Sequence, residues 1–169
     1  MSRHSNNLRN PAAGPALDRI DRRLLLALQK NARTPNKELA EAVGIAPSTC
    51  LERLRRLRTQ GVIRGYHADV DPGLLGRPTQ AIIAVRLEAH HRDEIGEFHR
   101  HVLALPETVS VFHVSGADDY LIHVAVRDSE QLRRLVLDEL TARSEVHHLE
   151  TRLLFEAVHK RSLEPLEPA

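Results

Sequence analysis

The sequence predicts an α+β chain in two parts, a small helical unit followed by a β-α-β-β-α-β unit. Three observations carry this. Apolar residues recur at helical spacing up to about residue 59, runs of β-branched residues begin at Thr79, and the sign of the charge differs between the two regions. Residues 1–70 hold 13 Lys and Arg against 6 Asp and Glu, a balance of +7, whereas residues 71–169 hold 11 against 17, or −6. A basic half of this kind suits a polyanionic partner.

The composition bounds the rest. With 41% hydrophobic residues in a 169-residue chain, a core can form. No apolar run approaches the roughly 18 residues that a membrane span needs, and MSRHSNNLRN has no hydrophobic stretch of the secretory kind, so the expectation is a cytoplasmic protein with no membrane partner. The single cysteine, Cys50, excludes an internal disulfide framework and sits in apolar helical spacing, where it reads as a small buried hydrophobe.

Residues 1–16 lack periodicity and read as a flexible arm carrying Arg3 and Arg9. Order begins in LDRIDRRLLLALQKNAR, where Leu17, Ile20, Leu24 and Leu28 share one helical face and Asp18 and Asp21 place acid at the positive end of the helix. TPNKELAEAVG then suggests Thr34 as cap, Pro35 as first helical residue, Leu39, Ala40 and Val43 as the apolar edge, and Gly44 as stop. Only Ile45 and Ala46 separate this two-turn helix from a third, which opens at Pro47 and runs to about Thr59. Two short helices joined by a tight turn after a longer one have the form of a helix-turn-helix. GVIRGYHADVDP suggests a short strand pair or wing, and DPGLLGRP a hinge.

From Thr79 the pattern changes. TQAIIAVRLE reads as a strand, and Ile95, Phe98, Val102 and Leu105 form the stripe of a helix stopped by Pro106. TVSVFHVSGADDYLIHVAV reads as two strands folded around residues 116–119. A further helix opens with Asp128 and Gln131 in a capping-box arrangement and buries Leu132, Leu135, Val136 and Leu140, and EVHHLETRLLFEAV is the last strand. The order β-α-β-β-α-β is the ferredoxin-like arrangement. Its strands are apolar on both faces, as Val111 with Phe112 and Leu153 with Leu154 show, so one face meets the helices and the other suits a second subunit. The expected divisions are an arm (1–16), a winged helix-turn-helix domain (17–70), a hinge (71–78), a ferredoxin-like domain (79–159) and a flexible tail (160–169).

In the third helix Cys50, Leu54 and Leu57 define a buried stripe, with Ser48, Thr49, Glu52, Arg55 and Arg56 opposite and Arg53 and Arg58 flanking it. Arginines on an exposed helix can simply solvate it. Here the preceding tight turn, the Ser and Thr in the leading half and the basic surroundings point to a recognition helix in the major groove of double-stranded DNA. Ser48, Thr49, Glu52, Arg53, Arg55 and Arg56 are the candidate contacts. Glu52 repels phosphate, so it is a base reader or an intrahelical partner of Arg55 or Arg56.

LDRIDRRLLLALQKNARTPNKELAEAVGIAPSTCLERLRRLRTQGVIRGYHADVDPGLLG, with SGADDYLIHV and LETRLLF after it, resembles the Lrp/AsnC family of leucine-responsive and asparagine-responsive transcription regulators over Leu17 to Val158. The resemblance implies an N-terminal winged helix-turn-helix, a hinge, and a ferredoxin-like ligand-sensing domain through which subunits dimerise and often build octamers. It also implies an effector, usually an amino acid, held between subunits at Gly116, Asp118, Asp119, Tyr120 and Thr151. Departures from the pattern are Ala46 in place of a capping Ser, Asp118 in place of an aromatic, and Leu149 in place of a Thr. Gly116 would let a ligand approach the main chain, and Asp119 would accept from a ligand ammonium or from backbone amides; SGADD is equally an ordinary hairpin turn.

Nine of the eleven histidines lie between His90 and His159. His90/His91 and His147/His148 are adjacent pairs and His99/His101 diverge on a helix, so metal-binding spacing is lacking, although His113 and His123 could face each other across the hairpin. Neither a metal nor a cofactor is expected. The alternative function is a tetrapyrrole-handling enzyme on the same scaffold, similar to sirohaem decarboxylases. Aromatic residues at 3%, with no Trp, and the absence of any nucleophile–base pair or phosphate loop argue against an enzyme. An interaction protein with a degenerate helix-turn-helix is the third reading.

Overall fold

A computed structural model describes residues 16–88, 92–160 and 162–164. The chain divides into two compact units. One comprises the residues up to Ala68 together with those from His159 onward, and the other Asp69–Val158.

The first unit is built on three helices, α1 (Arg19–Lys30), α2 (Asn36–Val43) and α3 (Pro47–Thr59). α1 begins where the two acids predict: the Asp18 carboxylate accepts from the Asp21 amide at 2.8 Å, and the Asp21 carboxylate accepts in return from the Asp18 amide at 3.3 Å. α2 corrects the expected cap. Pro35 itself occupies the N-cap with no side-chain bond, and the Thr34 hydroxyl donates instead to the carbonyl of Asn31. Gly44 ends α2 in the left-handed conformation at φ 75°, which turns the chain within three residues into α3. Leu24, Leu28, Leu39, Ala40, Val43 and Cys50 form one buried cluster, with Ile20, Leu54 and Ile63 packed on it. Cys50 is fully buried, and burial pushes its thiol above the ordinary cysteine range, so it behaves as a small apolar residue.

Of the short strand pair or wing expected between Gly61 and Pro72, the strand pair does not form. The amides of Val62 and Ile63 donate to the carbonyl of Leu57 and so finish α3, which leaves them unavailable to a ladder. The proposed hinge is tightly turned, with Arg77 and Leu75 amides on the Pro72 carbonyl and the Gly73 amide on the Asp71 carboxylate. Residues 160–169 read from the sequence as a loose tail, yet the Gln29 side chain bonds both backbone groups of Leu163, accepting at 2.8 Å and donating at 3.1 Å.

The second unit is a four-stranded antiparallel sheet in the order β2-β3-β1-β4, made of β1 (Thr79–Leu87), β2 (Thr108–His113), β3 (Tyr120–Val126) and β4 (Val146–Leu153). α4 (Arg92–Ala104) and α5 (Ser129–Arg134) supply its helical layer. Ala81, Ile83, Val85 and Leu87 alternate into the core, where they meet Phe98 and Val102 of α4 and Leu132, Leu135 and Leu140. At α5 the Asp128 carboxylate caps the Gln131 amide as expected, but the Gln131 side chain reaches back to the amide of Arg127 rather than completing the box. α5 continues into a π-helical segment, Leu135–Thr141, which the sequence does not announce. Its wider turn brings Leu135 and Leu140, five residues apart, to the same buried side.

Candidate nucleic-acid interface and effector region

α3 has two different sides. Cys50 and Leu57 are fully buried beneath it, whereas Ser48, Thr49, Leu51, Glu52, Arg55 and Arg58 are exposed. Pro47 sets the first turn, and the Asn36 side chain of α2 donates to the Pro47 carbonyl at 2.8 Å, which ties the two helices together at the turn.

The arginines divide likewise. Arg53 donates to the carboxylates of Asp18 at 2.6 Å and Asp21 at 2.9 Å, and Arg56 donates to Asp21 at 2.6 Å. The sequence places Arg56 with Arg55 on the side away from the core. Its guanidinium instead reaches α1, because a carboxylate that is only 1% exposed lies there and a buried charge is held only when paired. The Asp21 amide beside Asp18, and the Arg53 guanidinium after it, hold the Asp18 carboxyl below the usual carboxylate range.

Arg55 has no hydrogen-bond or ion-pair partner among the described residues. It lines a concavity of about 530 Å³ with Arg58, Thr59, Ile63 and Arg64. Arg58 also lies 6.0 Å from the centre of the Tyr66 ring. Arg64 was missed from sequence, and its signal was its place directly after the capped end of α3 in GVIRGY. Its exposed guanidinium extends the cationic surface beyond the helix.

In the second unit the structure separates the candidates for effector contact. Gly116, at φ 131°, forms the exposed hairpin tip, and a Cβ there would meet nothing within 4 Å. Arg86 donates to the Ala117 carbonyl at 2.6 Å and so holds the tip against β1. Asp118 is half-buried. The Asp119 carboxylate accepts from the Leu87 amide at 2.8 Å, while the Asp119 amide donates to the Val85 carbonyl at 2.9 Å, which extends the β1–β3 ladder past Tyr120.

Tyr120, among the effector contacts that the resemblance implies, is only 2% exposed in this subunit and packs in its core, with Phe98 at 5.2 Å and His113 stacked at 4.8 Å between ring centres. Its hydroxyl donates to the Ile95 carbonyl at 3.4 Å, and burial raises its pKa above the ordinary phenol value. Thr151 of β4 is exposed and pairs with Ile83 of β1, whereas Tyr120 of β3 pairs with Val85 across the other edge of β1. Two strand spacings, about 10 Å, therefore lie between Thr151 and the hairpin strand.

The histidine pair across the hairpin is also corrected. His113 pairs with Tyr120 and His123 with Ser110, so the two rings are not partners; the His123 ring meets the Gln80 side chain at 2.9 Å. His90 and His91 lie outside the described residues.

A test of the hairpin follows from its bonds. Asp119→Ala is expected to destabilise the second unit by about 1–2 kcal/mol, since the amide of buried Leu87 loses its acceptor. Calorimetric melting checks it, and an unchanged transition would mean that water replaces the carboxylate at no cost.

Residues 17–64 match a winged helix-turn-helix DNA-binding model, and residues 80–163 match the Lrp/AsnC ligand binding domain. The chain is 49% identical over 150 residues to the HTH-type transcriptional regulator AldR of Mycolicibacterium smegmatis, covering 89% of this chain and 86% of the relative. It is 37% identical over 145 residues to the leucine-responsive regulatory protein of Escherichia coli, covering 86% and 88%. Among solved structures, a transcriptional regulator of Neisseria meningitidis in complex with L-methionine superposes with a TM-score of 0.81 at 31% identity, covering 89% of this chain and 97% of that one.

Proposed function

This chain belongs to the Lrp/AsnC family of DNA-binding transcriptional regulators, and on that premise we propose that it reads its operator with α3 and is modulated by an amino acid bound in its second domain. The single observation carrying the DNA half is the two-sided α3: Cys50 and Leu57 anchor it, and Ser48, Thr49, Glu52 and Arg55 are left exposed in its leading and middle turns. A hydroxyl pair, an acid and an arginine on one helical face offer acceptors and donors for base edges and phosphate. Relatives named as regulators favour this reading over a tetrapyrrole enzyme.

The effector half rests on the likeness to the regulator solved with L-methionine. A zwitterion needs an acceptor for its ammonium and donors for its carboxylate. The exposed hairpin tip at Gly116, with Asp118 and Asp119 next to it, offers both in principle, and Thr151 would join from a neighbouring subunit. We also propose a homodimer formed through the sheet face that carries Phe112, Leu121 and Ile82, which no described helix covers, with assembly toward an octamer. The expected compartment is the cytoplasm; no described helix is long and apolar enough to cross a membrane.

The test is titration of a fluorescent fragment of the gene's own upstream region, with and without each of the common L-amino acids. Arg55→Ala is expected to weaken binding about fivefold at 0.15 M salt, the loss of one phosphate contact. Unaltered affinity and salt dependence would remove α3 from the interface. Calorimetric titration of the same amino acids against wild type and Asp119→Ala tests the pocket, and equal affinities would take Asp119 out of it.

A further inference from the structure

We propose that Asp18 and Asp21 act as resident phosphate mimics that keep Arg53 and Arg56 off the DNA backbone and so hold down sequence-blind affinity. The inference rests on α3 meeting the duplex as proposed above.

Guanidinium binds carboxylate and phosphate through the same planar fork of N–H donors. In this chain one terminal nitrogen of Arg53, Nη1, donates to both carboxylates, at 2.6 and 2.9 Å, and Nη2 of Arg56 donates to Asp21 at 2.6 Å. Two cations and two anions cancel. Asp21 is 1% exposed, so its charge is spent within the protein, on these arginines and the Asp18 amide, whereas Asp18 is half exposed. Of the four arginines that α3 carries, Arg55 and Arg58 have no carboxylate partner among the described residues.

Phosphate neutralisation carries no sequence information; it raises affinity for every duplex alike. Each further arginine free to contact phosphate steepens the dependence of log affinity on log salt by about 0.9, or roughly fivefold in affinity at 0.15 M salt. With four unpaired arginines, α3 would bind any duplex tightly. The two acids, placed at the start of α1 where they also cap the helix, halve that charge without shortening the basic surface.

Asp18→Asn isolates the charge from the brace. Asparagine caps helices as well as aspartate and still accepts from Arg53, so the fold is retained while the acid is neutralised. The probe is a fluorescein-labelled 30-base-pair duplex of random sequence, titrated by anisotropy from 0.05 to 0.3 M salt, with melting curves to verify folding. Asp18→Asn is expected to bind about fivefold more tightly at 0.15 M with a slope steeper by about 0.9. The charge-conserving double variant Asp18→Asn/Arg53→Gln should return to the wild-type slope, and Arg55→Gln should be shallower by about 0.9.

An unchanged slope for Asp18→Asn overturns the proposal. So does a double variant as shallow as Arg55→Gln, which would mean that Arg53 leaves the carboxylates to meet phosphate. A flat response in Arg55→Gln alone would instead overturn the assignment of α3 to the duplex.

Discussion

Asp21→Ala is expected to lower the melting temperature of the DNA-binding unit by roughly 10–20 °C, for a loss of about 2–3 kcal/mol. The carboxylate holds Arg53 and Arg56 and also accepts from the Asp18 amide, so a single substitution removes three interactions. Breaking a fully buried pair costs about 3–5 kcal/mol. The lower figure applies because Arg53 and Arg56 remain 22% and 46% exposed and can be rehydrated once freed. Differential scanning calorimetry resolves the transition. A shift under about 3 °C would show that water replaces the acid and that α1 and α3 stay in register through the apolar cluster alone.

Phe98→Ala is expected to cost the second unit about 3–4 kcal/mol. Phe98 is fully buried, and removing its ring takes away one wall of the site that holds Tyr120. His113 stacks on Tyr120 from β2, and Asp119 immediately precedes it, so the cavity would be felt at the hairpin tip. The Asp119 amide, which donates to Val85, should therefore exchange hydrogen faster than in wild type. Phe98→Leu, which leaves a smaller void, should lose less than half as much. Equal losses for the two variants would argue against a packing origin.

Element order was largely legible because it is written in local patterns. The acids at Asp18 and Asp21, the stop at Gly44 and Pro47 at the start of α3 each act over a few residues, and the order β-α-β-β-α-β follows from where the hydrophobic period changes. The stripe of Cys50, Leu54 and Leu57 was readable for the same reason, with Cys50 and Leu57 fully buried and Leu54 partly so. Where local cues misled, a longer-range partner had prevailed. Val62 and Ile63 carry strand propensity, but their amides cap Leu57.

By itself, then, the sequence determined the two-part architecture, the basic helix and its buried edge, since helical periodicity and charge are properties of neighbouring residues. Only the tertiary structure decided which arginines remain free. Arg53 and Arg55 are chemically identical and two positions apart, and what separates them is a buried carboxylate some thirty residues earlier in the chain. Ion pairing depends on distance through space, a quantity that spacing along the chain does not contain.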